Sequence, residues 1–309
     1  MTETRRFGPY TVEVDRLDKV LYPEAGITKR DVIEYYEAVA EDLLRHVDHR
    51  PLTLQRFPDG IGKDGFYQKQ VPDHVPDWVE RVSVPLADGG SQEQMVAGNA
   101  ATLVYLADQA TLTLHPWLSR APELERPDTL IFDLDPPDPG DFGAVRETGL
   151  RLKEVLDALG LQAFVMTTGS SGAHVRVPLR RGPDFDAVRG FARRIAEHLA
   201  DRFPDRVTTA ARKAKRGERL YLDVGRNARG QTAVAPYSLR ARPGAPVATP
   251  LTWDEFRRTR DARSHTLGSV PGRLKDQGDP WSGMGRSAHG LDVAVRNADE
   301  VLGAPGDTS

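Results

Sequence analysis

The sequence predicts an α+β protein whose second half is built on a β-α-β-β-α-β unit. Two observations carry that prediction. From Thr129 onward, apolar alternation of period two and apolar stripes of period near 3.6 follow in the order strand, helix, strand, strand, helix, strand. Punctuating residues fall at the joints, with Asp141 before the first of these helices and Gly160 just past its end. Such a succession is the ferredoxin-like or RNA-recognition-like motif, which packs its helices on one face of the sheet and leaves the other free for a site.

The elements follow in order. Thr28 and Asp31 form a capping box with Asp in place of Glu, opening a helix with Val32, Tyr36, Val39 and Leu43 inward. Leu52–Phe57 reads as a strand, Asn99 as the cap of a short helix through Leu106, and Thr111–His115 as another strand. The second half gives a strand at 129–135, a helix at about 142–159, and strands at 162–168 and 174–179. A helix at 184–203 follows, with Phe185, Val188, Phe191, Ile195 and Leu199 inward. A weak strand at 207–209 and a strong one at 219–224 complete the unit. Past Asp254 the chain turns polar, and residues 285–309 are expected to be a flexible tail after a single domain at 1–284.

Composition narrows the function classes. There is no cysteine in 309 residues, which excludes thiol catalysis, zinc–thiolate sites and disulfides, and fits a cytosolic protein. No apolar run of membrane-spanning length and no secretory leader is present, so a cytoplasmic protein is expected. The abundance of Arg, Ala, Gly, Asp and Pro suggests a GC-rich, bacterial coding sequence. Net charge is −3, yet residues 176–242 hold 17 Lys or Arg against 7 Asp or Glu. A basic stretch in an otherwise acidic chain is the footprint of a phosphate-bearing ligand, the plainer alternative being a solvated charge run.

The chemistry centres on the run TLIFDLDPP, starting at Thr129. Strand alternation sends Leu130, Phe132 and Leu134 to one face and Ile131, Asp133 and Asp135 to the other. Two carboxylates about 4 Å apart repel by roughly 4 kcal/mol at an effective dielectric near 20. In the last strand, Leu220, Leu222 and Val224 share the apolar face while Asp223 lies opposite with Tyr221. The first strand of the motif is central and the last is near it, so a third carboxylate is within reach. Three converging acids suit Mg²⁺ or Mn²⁺ better than they suit stability. The alternative is a strand-end solvation device, and Asp-x-Asp also occurs in sugar-nucleotide transferases. Thr167-Thr-Gly-Ser-Ser-Gly-Ala-His174 is a glycine- and hydroxyl-rich turn suited to phosphate oxygens. Arg212, Lys213, Lys215 and Arg216 precede Asp223 and Arg240 follows it, as a metal–triphosphate complex needs.

Those residues carry a resemblance. FDLDPP, TTGSSGAHV, YLDVGRN and APYSLR (Ala235–Arg240) resemble the polymerase domain of bacterial DNA ligase D, in the archaeo-eukaryotic primase superfamily. So do Asp18-Lys19-Val-Leu-Tyr-Pro, Thr28-Lys29, Arg50-Pro-Leu-Thr, Arg56-Phe-Pro-Asp-Gly and Phe66-Tyr67-Gln-Lys69. The likeness runs in consistent order over roughly residues 10–260.

The resemblance implies a primase-polymerase fold, with a DNA-binding half at about 10–125 and an RNA-recognition-like catalytic half at about 126–255. It implies a template-directed nucleotidyltransferase that extends or fills DNA ends in non-homologous end joining, favouring ribonucleotides and 5′-phosphorylated gaps. Asp133, Asp135 and Asp223 would be the metal triad for two Mn²⁺ or Mg²⁺ ions. Thr168, Ser170, His174, Arg216 and Arg240 would contact the phosphates of an incoming NTP or dNTP, and His115 its sugar. Lys19 and Lys29 would hold the 5′-phosphate, with Gln55, Arg56 and Lys69 in the same DNA-binding region. Phe66 and Tyr67 would stack on DNA, although adjacent strand residues face opposite ways and only one is expected to be exposed. Ku and a separate ligase are the implied partners.

Two departures remove positive charge near the expected triphosphate: Ser171 and Glu218 stand where relatives often carry Lys. With no ligase or nuclease module, the chain reads as a stand-alone relative or an excised domain. A non-catalytic DNA-end-binding scaffold is the competing reading. A sugar-nucleotide transferase is a weaker one, because it gives no account of Lys19 and Lys29.

Overall fold

The structure is a computed structural model that describes residues 2–86 and 88–303. Its internal contacts divide the chain into two compact units. The first comprises residues up to 122 with 232–249 and 265–279, and the second comprises 123–231, 250–264 and the residues from 280 on.

The first unit begins with a hairpin of β1 (Glu3–Phe7) and β2 (Tyr10–Val14), followed by the short pair β3 (Val20–Tyr22) and β4 (Ile27–Thr28). The capping box forms in both directions, with the Thr28 hydroxyl accepting from the Asp31 N–H and the Asp31 carboxylate accepting from the Thr28 N–H. The one expected helix is two, α1 (Lys29–Ala38) and α2 (Ala40–Val47), because Val39 leaves the helical region at φ −100° and ψ 5°. Val32, Tyr36, Val39 and Leu43 are all buried nonetheless, so the apolar stripe runs through the break.

Beyond it lie β5 (Leu52–Arg56), β6 (Phe66–Gln68), the hairpin β7 (Arg81–Pro85) and β8 (Ser91–Met95), helix α3 (Ala100–Asp108) and β9 (Thr111–Pro116). Asn99 caps α3 as expected, accepting from the Thr102 N–H. Strands β6, β5 and β9 form a sheet in that order, so β6 is an edge. Segment 237–240 is tied to β9 by buried hydroxyls: Tyr36 donates to Leu112 O (2.6 Å) and accepts from the Leu239 N–H (3.1 Å), while Ser238 Oγ accepts from the Leu114 N–H (2.8 Å).

The second unit carries β10 (Thr129–Asp135), α4 (Phe142–Ala158), β11 (Phe164–Thr167), β12 (Ala173–Pro178), α5 (Phe185–Arg202), β13 (Val207–Thr208) and β14 (Leu220–Asp223). Strand β15 (Thr249–Leu251) and α6 (Trp253–Arg258) follow. The sheet order is β13-β14-β10-β12-β11-β15, and β10 pairs antiparallel with both β12 and β14. The four central strands therefore stand in the order last, first, third, second, which is the ferredoxin-like arrangement the sequence predicts. Leu130, Phe132 and Leu134 are buried with residues of α4, α5, Leu220 and Leu222 in one core, leaving the acidic face of β10 opposite.

The chain then returns to the first unit for α7 (Val270–Gln277) and ends in the second with α8 (Leu291–Leu302). Helix α8 corrects the expected flexible tail. Leu291, Ala294 and Ala298 repeat at helical spacing and are buried in the second unit's core, a stripe that the polar composition conceals. Residues 304–309 of that expected tail lie outside the described residues.

Gly172, at the entry to β12, marks the closest approach of two strands. A Cβ there would lie 2.0 Å from the carbonyl oxygen of Leu134, the residue between Asp133 and Asp135. Gly172→Ala is expected to cost about 1–3 kcal/mol by forced overpacking, read as a lower midpoint in urea unfolding; an unchanged midpoint would refute the assignment.

Candidate active site

The sheet register fixes where the acids stand. Asp133 on β10 is the direct cross-strand partner of Asp223 on β14 and, on its other side, of His174 on β12. Asp135 faces Tyr221, which puts it diagonal to Asp223. Direct cross-strand partners have Cβ atoms roughly 5 Å apart and diagonal ones roughly 7–8 Å. All three carboxylates thus share the face of the sheet opposite the helices.

Each acid has its own partners. Asp133 contacts His174 Nε2 and Arg226 Nε, both at 3.5 Å. Asp135 Oδ2 accepts from Arg216 Nη1 at 3.0 Å. Asp223 Oδ1 accepts from the Tyr221 hydroxyl at 3.0 Å and from the Gly225 N–H at 2.7 Å. The Arg216 guanidinium also lies 3.9 Å over the Tyr221 ring, so a cation–π contact and two hydrogen bonds link Asp135 to Asp223. Asn227 is fully buried; its side-chain amide accepts from the Ile131 N–H (2.9 Å) and donates to the Ile131 carbonyl (2.7 Å). It thereby continues the ladder on β10 beyond the end of β14.

The charges are unevenly settled. Burial and the neighbouring Asp133 push the Asp135 carboxyl above its ordinary value despite Arg216. For Asp133, burial favours the neutral acid, but His174 and Arg226 outweigh it and hold the carboxyl low. Burial lowers His174 in turn, against the pull of the Asp133 carboxylate. Burial and Asp223 push Tyr221 up to about 12, so it stays a donor.

Among the described residues, no three acidic or histidine side chains are already gathered around one point as metal ligands. The donor set nevertheless fits a hard divalent cation. Its oxygens are carboxylate oxygens that two neighbouring strands bring to one face of the sheet. His174 Nδ1 is buried and makes no hydrogen bond.

The Thr168 hydroxyl donates to Gly172 O at 3.0 Å and accepts from the N–H groups of Ser170 and Gly172, so it closes the turn from within. Ser170 is partly exposed, and its carbonyl is held by Arg263 Nε at 2.9 Å. His115 and Arg240 belong to the first unit, so their expected contacts to a nucleotide rest on the resemblance.

The first unit holds a polar pocket of about 200 Å³ that brings Lys19, Lys29 and Arg56 together, with Arg16 beside them. Lys29 is no surface lysine. It is 4% exposed, and its ammonium bridges Asp15 Oδ1 (2.9 Å) and Asp108 Oδ1 (2.6 Å). Lys19 pairs with Asp59 at 2.9 Å. Arg56 donates to Gln109 O and Gln68 Oε1 and lies 5.4 Å over the Phe66 ring. Gln55 is half-buried on β5 and Lys69 exposed beyond β6. Phe66 and Tyr67 are both exposed, at 46% and 63%, against the expectation of one. Strand β6 is an edge, paired with β5 on one side only, and both rings stand clear of the core. Tyr67 meets the His115 ring edge-on with centroids 5.9 Å apart.

Sequence reasoning missed Tyr221, Arg226, Asn227 and Arg263 as site-building residues. The first three lie in or beside YLDVGRN, and the signal available was a buried-type Asn and an Arg packed within four positions of the third acid.

Comparison with known proteins places this geometry. The chain matches the model of the family described as "LigD, primase-polymerase domain" over residues 28–281. It is 33% identical over 288 residues to the multifunctional non-homologous end joining protein LigD of Pseudomonas aeruginosa, covering 92% of this chain and 34% of that protein. It is 33% identical over 268 residues to the bifunctional LigD of Bacillus subtilis, covering 86% of this chain and 43% of the relative. The chain thus spans well under half the length of these relatives. Among solved structures, the polymerase domain of Mycobacterium tuberculosis ligase D in complex with DNA is similar at a TM-score of 0.84 and 32% identity, over 90% of this chain and 99% of that one.

The two lysines of the pocket are expected to differ sharply in stability tests. Lys29→Met strips the ammonium from two carboxylates, one of them nearly buried, and should cost about 3 kcal/mol. Lys19→Met breaks an exposed pair and should cost under about 1 kcal/mol. Equal urea midpoints for the two variants would contradict this account of the pocket.

Proposed function

This chain belongs to the LigD primase-polymerase family, and from that premise we propose that it is a divalent-metal-dependent, template-directed nucleotidyltransferase that fills or extends DNA ends in non-homologous end joining. The observation that carries the proposal is the cross-strand pairing of Asp133 with Asp223, with Asp135 two positions along on the same sheet face.

In this reading Asp133, Asp135 and Asp223 hold the divalent ions. When bound, such ions lower the pKa of a primer 3′-hydroxyl and stabilise charge on a departing pyrophosphate. The protein's own groups do the rest. Arg216 and Arg226 are poised beside the acids, where a triphosphate brings four negative charges that need cationic partners. The close approach at Gly172 sets the Thr168–Gly172 turn against β10, and with it the Ser170 hydroxyl. His174 lies on the strand beside Asp133, where its Nε2 faces one Asp133 oxygen at 3.5 Å and helps to hold that carboxylate in place. Tyr221 holds one oxygen of Asp223, which fixes the direction of the other.

The first unit supplies the DNA contacts. Lys19 and Lys29 line the site for a 5′-phosphate, and Phe66 and Tyr67, exposed together on an edge strand, offer two rings for stacking on bases. Ribonucleotide preference, Mn²⁺ over Mg²⁺, and cooperation with Ku and a ligase belong to the same proposal and rest on the family resemblance. A non-catalytic scaffold has no need for three acids gathered on one sheet face, and it loses on that ground.

The test is primer extension on a gapped duplex with Mn²⁺ and labelled nucleotide. The unaltered protein should incorporate nucleotide, and Asp133→Ala should lose at least about a thousandfold in rate, as removal of a metal ligand does, while DNA binding stays within about threefold. Undiminished extension by a folded Asp133→Ala protein would overturn the assignment.

A further inference from the structure

The lysine pocket of the first unit contains its own competitor for phosphate. Four basic side chains, Arg16, Lys19, Lys29 and Arg56, share it with the carboxylates of Asp15, Asp59 and Asp108. The acids are not equivalent. Asp15 and Asp108 both pair with Lys29, which is buried; Asp15 also pairs with exposed Arg16 at 3.3 Å, and Asp108 accepts from the Asp15 N–H at 3.0 Å. Asp59 is 75% exposed and its recorded partner is Lys19, one-third exposed, at 2.9 Å.

The backbone around Asp59 is held by hydrogen bonds, while its side chain is exposed. Gly60 sits at φ +78°, its N–H donates to Phe57 O at 2.9 Å, and the next N–H, of Ile61, donates to Leu21 O at 2.8 Å. A Cβ at Gly60 would lie 3.0 Å from Leu21 O, so this turn lies tight against β3. Rotation about the Asp59 side-chain bonds is then the only movement needed to uncover Lys19. An exposed Lys–Asp pair of this kind is weak and readily exchanged. A terminal phosphate brings close to two charges and three acceptor oxygens, so it outcompetes a carboxylate at the same ammonium.

We propose that Asp59 is a resident stand-in for the 5′-phosphate: its carboxylate covers Lys19 in the free protein, leaves when a phosphorylated end arrives, and so sets how strongly such ends are preferred. The proposal rests on reading this pocket as the 5′-phosphate site. Removing Asp59 takes the formal charge of the pocket from one positive to two, and the gain is felt most by the group that lands there. A 5′-hydroxyl end has nothing to place on Lys19 and gains little. The lysine that Asp59 covers is the exposed, exchangeable one, whereas Lys29 is buried between two acids.

The experiment measures dissociation constants for gapped duplexes carrying either a 5′-phosphate or a 5′-hydroxyl, by fluorescence anisotropy at one fixed ionic strength. The unaltered protein, Asp59→Asn, Lys19→Ala and the double variant are compared. Asp59→Asn is expected to bind the phosphorylated gap about three- to tenfold tighter, with the hydroxyl gap changed by under about twofold. The double variant should show no such gain, because the exchange acts through Lys19. If Asp59→Asn gains equally on both gaps, or gains nothing while the unaltered protein still prefers phosphate, the stand-in role is wrong and the pocket reading stands. If the unaltered protein shows no preference for phosphate, the pocket reading fails and the proposal fails with it. Asp59 is exposed, and a thermal melt within about two degrees of the unaltered protein ties any change to binding.

Discussion

The antiparallel embrace of β10 by β12 and β14 is the constraint on which the site depends. Once those two ladders form, Asp133 has no choice of neighbours: Asp223 lies across one interface and His174 across the other. A like-charge cross-strand pair is unfavourable in itself. The fold tolerates it through a ring of fixed donors, namely Arg226 and His174 on Asp133, Arg216 on Asp135, and Tyr221 with the Gly225 amide on Asp223. The stability that supports this arrangement comes from the opposite face, where Leu130, Phe132 and Leu134 are buried against the helices. One strand thus anchors the core with alternate residues and carries the chemistry with the rest.

The two units handle charge by a common logic. In the second, cations restrain a cluster of acids. In the first, acids restrain a cluster of cations. In both places the partners divide into buried ones, which set geometry, and exposed ones, which can exchange. Lys29 between Asp15 and Asp108 is of the first kind, and Lys19 with Asp59 is of the second. Buried pairs hold the charges in place, and exposed pairs are the weaker ones.

Much of this was legible in the sequence because it depends on local period and caps. The alternation in TLIFDLDPP fixes which residues face the core, and the strand bounds 129–135 agree with β10 residue for residue. Thr28 with Asp31, and Asn99, announce their helices through side chains that satisfy the nearest amides. What was hidden depends on distant parts of the chain. Lys29 looks like any surface lysine until Asp15 and Asp108 are brought to it. Tyr221 and Arg216 become a bridge between two acids only through the register of β14 against β10. Alternation suggested that one of Phe66 and Tyr67 would be buried, and it failed because β6 has a neighbour on one side only. The apolar stripe of α8 was diluted by polar residues, so a docked helix read as a loose tail.

The central claim is that the acidic face of one small sheet gathers divalent ions. Diffraction from crystals soaked in Mn²⁺ and a non-hydrolysable nucleoside triphosphate, recorded near the manganese absorption edge, tests it most directly. The account predicts anomalous peaks at roughly 2.0–2.3 Å from carboxylate oxygens of Asp133, Asp135 and Asp223, with the phosphates on the same side of the sheet. Well-ordered nucleotide with no anomalous peak beside Asp133, or a metal held without Asp223, would contradict it.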